Sequence, residues 1–146
     1  MRASLAAALA GATAFTAAGC GSSRLSHDSF ARHADAICAA YDARVQLLTR
    51  PTSYDAVVSY VARTLPLYVA ALDKLKALQP AAADEDAVQA WLDQDGAVAA
   101  ALRTLREAAM RRDLAATNAA SASVQAASLA SRRAAAALGM TDCAQP

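Results

Sequence analysis

The segment TSYDAVVSYVARTLPLYVAALDKLKALQP, residues 52–80, decides the fold class. Val58, Val61, Leu65, Tyr68, Leu72 and Leu75 recur in alternating steps of three and four, the spacing that stacks side chains along one stripe of an α-helix. Nothing in it alternates with the period of two that a half-buried strand requires. Thr52 and Asp55 stand at capping-box spacing at its start. Gln79-Pro80 ends it, because the residue before a proline resists the helical conformation. A helix with one apolar stripe must bury that stripe against something, so the flanking sequence has to supply partners.

It does so on both sides. Upstream, Ser29 to Thr49 reads as a first helix with Phe30, Ala34, Ile37, Tyr41 and Leu48 on one face and Arg50-Pro51 as its stop. Downstream, a third helix starts near Ala83, with Asp84-Glu85-Asp86 on its electropositive first turn. Its seam is Val88, Trp91, Asp95, Val98, Leu102, Leu105 and Ala109, and Arg111-Arg112 close it. Asp113 is the expected N-cap of a fourth helix with the seam Leu114, Thr117, Ser121, Val124, Ser128, Ser131, Ala135 and Leu138. Gly139 is its expected C-cap. Short connections between long helices imply antiparallel neighbours, so the expected fold is all-α: an antiparallel up-down-up-down four-helix bundle after a cleaved signal peptide. A three-helix bundle with a broken long helix is the rival, since Pro66 and Gly96 both interrupt helical stretches.

The N-terminus has a different character. Met1-Arg2 is followed by Leu5 to Ala18, which holds no charge and falls short of the roughly 20 residues that a spanning helix needs. A basic start, a short apolar core and small residues before a break describe a secretory signal. The break, Ala17-Ala18-Gly19-Cys20, resembles the lipobox of bacterial lipoproteins, although Ala17 stands where that family usually has Leu. The resemblance implies cleavage before Cys20 and lipidation of its thiol. Residues 1–19 would then be a lipoprotein signal peptide, 20–28 a lipidated cysteine and flexible tether, and 29–146 the helical bundle. Two acyl chains hold a protein firmly at a membrane surface, where one is marginal. The implied location is extracytoplasmic, with the membrane as partner through the lipid anchor. No segment after Ala18 is expected to cross a bilayer.

With Cys20 acylated, Cys38 and Cys143 remain as an even pair, which outside the cytoplasm reads as a disulfide. It would close a loop across most of the chain, implying about 4–5 kcal/mol by the chain-entropy model. Charge is balanced, 14 Lys and Arg against 13 Asp and Glu. That leaves no electrostatic footprint for nucleic acid, and the Arg111-Arg112 and Arg132-Arg133 pairs fit helix ends and solvated faces better. The glutamates are Glu85 and Glu107 and the histidines His27 and His33, too few for a ferritin-like diiron bundle. No haem-attachment, zinc, nucleophile-elbow or phosphate-loop motif is present. A non-covalent haem between His33 and Met140 rests on two common residues, and a solvated His33 with a packed Met140 is the simpler reading. No catalytic residue, metal site or cofactor is therefore expected.

One layer mixes polar groups into the apolar seams. Helix midpoints place Pro66, Asp95-Gly96 and Gln125 at one level, with Tyr41 and Tyr68 about a turn away on inward faces. A few polar groups among apolar ones between bundle helices can form a small-ligand pocket, here Tyr41, Tyr68, Asp95 and Gln125. The sequence favours the opposite outcome, an Asp95 drawn out of the seam into water, because a lone buried carboxylate is costly unless paired. The expected function is accordingly a membrane-anchored, non-enzymatic bundle serving as an interaction or structural module of the cell envelope, with an envelope protein as its partner. The alternative is a small-ligand-binding or sensing module using the layer near Asp95.

Overall fold

The computed structural model describes residues 24–145; the expected signal segment, Cys20 and residues 21–23 lie outside the described residues. Within them the chain forms four α-helices, one 3-10 turn and no strand. These are α1 (His27–Val45), α2 (Tyr54–Lys76), the 3-10 turn Ala82–Asp84, α3 (Glu85–Met110) and α4 (Leu114–Ala137). The expected all-α class is the observed one. Pro66 lies within α2 and Gly96 within α3, and neither breaks its helix. The broken-helix alternative is thereby removed.

Local chemistry accounts for most boundaries. Ser26, Ser53 and Asp113 each occupy an N-cap and accept a backbone N–H three residues on, from Ser29, Ala56 and Ala116. Each such cap stabilises by about 0.5–2 kcal/mol. The cap of α2 is thus Ser53, one residue later than the expected Thr52–Asp55 box, and Asp55 instead meets Arg112 across the surface. The helix C-termini of α3 and α4 close in the same way. Asp113 N–H bonds Ala108 O and Arg112 N–H bonds Ala109 O, while Met140 N–H bonds Ala135 O and Gly139 N–H bonds Ala136 O. Both are Schellman motifs, which need a left-handed residue just past the helix. Gly139 supplies it at φ 77°, whereas in α3 the position falls to Arg112 at φ 55°. The first helix ends at Val45, short of the expected Thr49. Its last turn tightens, with Leu47 N–H on Arg44 O and Leu48 N–H on Val45 O.

Two apolar clusters fill the interior. The larger joins Phe30 and Ala34 of α1, Leu72 and Leu75 of α2, Val88 and Trp91 of α3, Ala135 of α4, and Leu138 and Met140 just past it. Phe30 meets Trp91 edge-on with ring centroids 6.4 Å apart, a geometry favourable beyond the area it buries. The smaller cluster is Val61, Val98 and Leu102, flanked by half-buried Tyr60, Tyr68, Leu105 and Val124. All four helices or their immediate ends reach the first cluster; α1 meets the edge of the second through Tyr41, which packs on Tyr68. α3 is the common floor, packing extensively on α2 and α4, while α1 lies mainly on α2.

Two expectations change. α2 carries an 18-residue window of mean hydropathy 1.2, long and apolar enough by length and composition to cross a bilayer, so the expectation that no such segment follows Ala18 does not hold. Its Ala and Val content is spread around the helix, yet its seam residues Val61, Leu72 and Leu75 are buried in the bundle. The described part of the expected tether, residues 24–28, is not loose: α1 already begins at His27. Leu25 N–H bonds Gln79 O at 2.7 Å, and Arg24 reaches Pro80 O and the Glu85 carboxylate. Residues 24–26 therefore lie against the α2–α3 link.

Candidate functional site

α1 ends at Val45 and α4 presents the small side chains Ser128 and Ser131 here, so the space over the middle of α3 is not filled by side chains. A cleft of about 310 Å³ occupies it. Tyr41 of α1, Thr64 and Tyr68 of α2, Trp91 and Asp95 of α3 and Ser131 of α4 are among its lining residues, and the tail residues Asp142 and Cys143 also border it.

Asp95 is the organising group. It is 7% exposed, so the expected solvated carboxylate is instead buried. What makes that tolerable is pairing: the Tyr68 hydroxyl donates to its Oδ1 at 2.7 Å and the Ser131 hydroxyl to the same oxygen at 2.6 Å. O–H donors on a carboxylate are among the stronger protein hydrogen bonds. Burial acts first on the Asp95 carboxyl and raises its pKa above the ordinary value, although the Ser131 and Tyr68 bonds pull it down. Tyr68 is in turn pushed up, by burial and then by the Asp95 charge. Tyr41 packs edge-on against Tyr68 with centroids 5.4 Å apart, and burial likewise raises its pKa.

Three of the four expected pocket residues, Tyr41, Tyr68 and Asp95, come together here. Gln125 does not: it is exposed and takes no part in the cleft wall. Ser131, further along α4, supplies that helix's contact to Asp95 instead. The sequence carried that signal, since Ser131 lies on the seam of α4 and Gln125 does not. The charged lining was missed altogether: Asp42, Asp142 and Arg132 stand on the cleft wall with Asp95. Asp42 is raised by burial and then by the neighbouring Asp142 charge.

The cleft is bordered by the crosslink. Cys38 and Cys143 form the expected disulfide, with Cα atoms 5.2 Å apart and a sequence separation of 105. Beside it the Asp35 carboxylate accepts the backbone N–H groups of Thr141, Asp142 and Cys143 and the Thr141 hydroxyl. Burial opposes ionisation of Asp35, but these four donors outweigh it and hold its pKa below the ordinary value. The crosslink and the carboxylate together fix the tail on α1, along one side of the cleft.

His33 is exposed with Nδ1 2.7 Å from Ser29 O, whereas Met140 is buried in the larger apolar cluster. Among the described residues no three His, Cys, Asp or Glu side chains gather as a metal site. Trp91 Nε1 is buried without a hydrogen-bond partner among them. No family model, no curated protein and no solved structure matches this chain.

Proposed function

We propose that this chain is an extracytoplasmic lipoprotein, anchored through Cys20, whose non-enzymatic antiparallel up-down-up-down bundle binds a small and mainly apolar ligand in the Asp95 cleft. The observation that carries the binding reading is Asp95 itself, a carboxylate buried at a cavity wall and held in place by two hydroxyls from two other helices. Stability alone does not call for it, since apolar side chains fill such a layer at lower cost. A mostly apolar cavity with a few oriented polar groups is the usual form of a small-molecule site.

The antiparallel order is supported by contacts between helix ends. Leu25, before α1, meets Gln79, after α2; Asp55 at the start of α2 meets Arg112 past the end of α3; and residues 111–113 are the whole link between the ends of α3 and α4. The extracytoplasmic location is supported by the disulfide, a bond that persists in oxidising compartments.

Trp91 is the chain's single tryptophan and lines the cleft, so its fluorescence reports occupancy. Protein extracted from membranes under gentle detergent should release a small molecule in native mass spectrometry, and adding that molecule back should change Trp91 emission. Protein isolated free of any such molecule, with Trp91 emission indifferent to a broad panel of small apolar compounds, would overturn the binding reading. The second reading, docking to an envelope protein, draws on Met110 and Leu114, which flank the α3–α4 turn and are 58% and 62% exposed.

A further inference from the structure

We infer that the Asp95 cleft selects a small primary ammonium ion with an apolar body, with Asp95 as the counter-charge. This rests on the cleft being a ligand site, and it adds the chemical class of the ligand.

Charge on the wall is the first ground. The cleft's ionisable lining holds three carboxylates, Asp42, Asp95 and Asp142, against one cation, Arg132. An anionic ligand would enter a net negative site, and a cationic one would relieve it. The second ground is the isolation of Asp95. The ion pairs among the described residues are Arg24–Glu85, His27–Asp84 and Arg112–Asp55, none of which reaches this carboxylate. Its two partners are neutral hydroxyls, which orient the group without cancelling its charge. A buried charge without an opposite one is an unfinished arrangement, and a ligand cation completes it.

Atom placement gives the third. Both hydroxyls donate to Oδ1, so Oδ2 is the oxygen left to accept an N–H from the cleft. An ammonium donor suits it, and a carboxylate ligand does not. Tyr41, Tyr60, Tyr68 and Trp91 supply aromatic wall, which attracts cations as well as apolar carbon. A volume of about 310 Å³ limits the ligand to a small one.

The test uses the full chain in detergent and three ultraviolet-transparent probes of one shape: cyclohexylmethylammonium, cyclohexylmethanol and cyclohexanecarboxylate. Trp91 emission follows each titration, with empty micelles as the blank. The ammonium should bind at least tenfold more tightly than the alcohol, and the carboxylate more weakly than either. Asp95→Asn, which keeps the shape of the side chain, should abolish the preference, so that ammonium and alcohol bind the variant within about threefold of each other. Asp142→Asn should reduce ammonium affinity less than threefold. Equal binding of ammonium and alcohol to the unaltered chain would overturn the cation assignment while leaving the cleft a ligand site. A preference lost equally in Asp142→Asn and Asp95→Asn would overturn the role of Asp95. No response to any of the three would overturn the assignment and count against the ligand site as well. The ranking on the unaltered chain decides independently of how well either variant folds.

Discussion

Asp35 accepts the backbone N–H of Thr141 on both of its carboxylate oxygens, at 3.0 and 2.9 Å, joining a residue of the first helix to one beyond the last. Thr141 Oγ1 and the N–H groups of Asp142 and Cys143 converge on the same carboxylate. A chain end that would otherwise fray is held by one side chain in addition to the disulfide.

Asp35→Ala should therefore destabilise the fold by about 1–2 kcal/mol, the scale of losing hydrogen bonds to a partly exposed charged acceptor. The pH dependence has a definite sign. Asp35 has a folded pKa below its ordinary value, so its stabilisation is complete above about pH 4 and is lost as pH falls through the lower folded value. Denaturant melts between neutral and acid pH should show the wild-type advantage over Asp35→Ala shrinking toward the acid end. A constant difference across that range would show that the carboxylate charge plays no part.

Reduction of Cys38–Cys143 opens a loop of 105 residues, which on the chain-entropy account removes about 4–5 kcal/mol. The Asp35 contacts remain in the reduced chain, so the tail should stay docked near neutral pH while the midpoint of unfolding drops sharply. In the reduced Asp35→Ala variant both ties are gone, and amides of residues 141–145 should exchange freely with solvent. Fast exchange there in the reduced wild type would show that the carboxylate cannot hold the tail alone.

Arg112 sits at φ 55°, where glycine is at home, and a non-glycine residue in this region carries roughly 1 kcal/mol of strain. Its ion pair with Asp55 is exposed on both sides and offsets little of that. Arg112→Gly should stabilise the protein by up to about 1 kcal/mol, and thermal melts of the two forms check this. A loss of stability would mean that the Asp55 contact outweighs the backbone strain.

Periodicity made the helices legible, and with them most of the interior. Val61, Leu72, Leu75, Val88, Trp91, Val98 and Leu102 lie on the expected seams and are buried. Gly139 was legible because a Schellman end has a glycine signature, and the crosslink because two cysteines remained after the first was assigned to the anchor. The polar partners were harder to find. Helix midpoints put Gln125 level with Asp95, but depth along a helix hairpin is set by distance from its turn. Asp95 and Ser131 lie almost equally far along the chain from Arg112, and Gln125 lies closer to it. Asp35 carried no signal at all, since its role depends on backbone N–H groups from the far end of the chain. The sequence favours a solvated Asp95 because its donors, Tyr68 and Ser131, are ordinary seam residues until the helices meet.

Cys20→Ser should abolish acylation and leave either unprocessed precursor or a domain released from the membrane. Mass spectrometry of the membrane-extracted wild type should find a mature chain that begins at a diacylglyceryl-modified Cys20. A Cys20→Ser variant that is still processed and membrane-bound would remove the anchor and leave α2, with its mean hydropathy of 1.2, as the segment to test next.

The triad Tyr68–Asp95–Ser131 allows the cost of keeping a buried carboxylate to be measured. Asp95→Leu removes the acceptor and strands two hydroxyls, one of them on a buried residue, so it should destabilise by about 1–3 kcal/mol. Replacing all three groups, as Tyr68→Phe, Asp95→Leu and Ser131→Ala together, removes donors and acceptor alike. An apolar layer of similar shape loses no hydrogen bonds and carries no desolvation penalty, so the triple variant should match or exceed wild-type stability. The pH profile gives an independent sign. The folded pKa of Asp95 is raised, so its contribution favours folding below about pH 4 and declines as pH rises through the folded value. The triple variant should lack that decline. Denaturant melts of wild type, single and triple variants across pH 3 to 8 read both effects. A triple variant no more stable than Asp95→Leu would mean that the triad holds the fold together, and the retention of Asp95 for a ligand would lose its energetic basis.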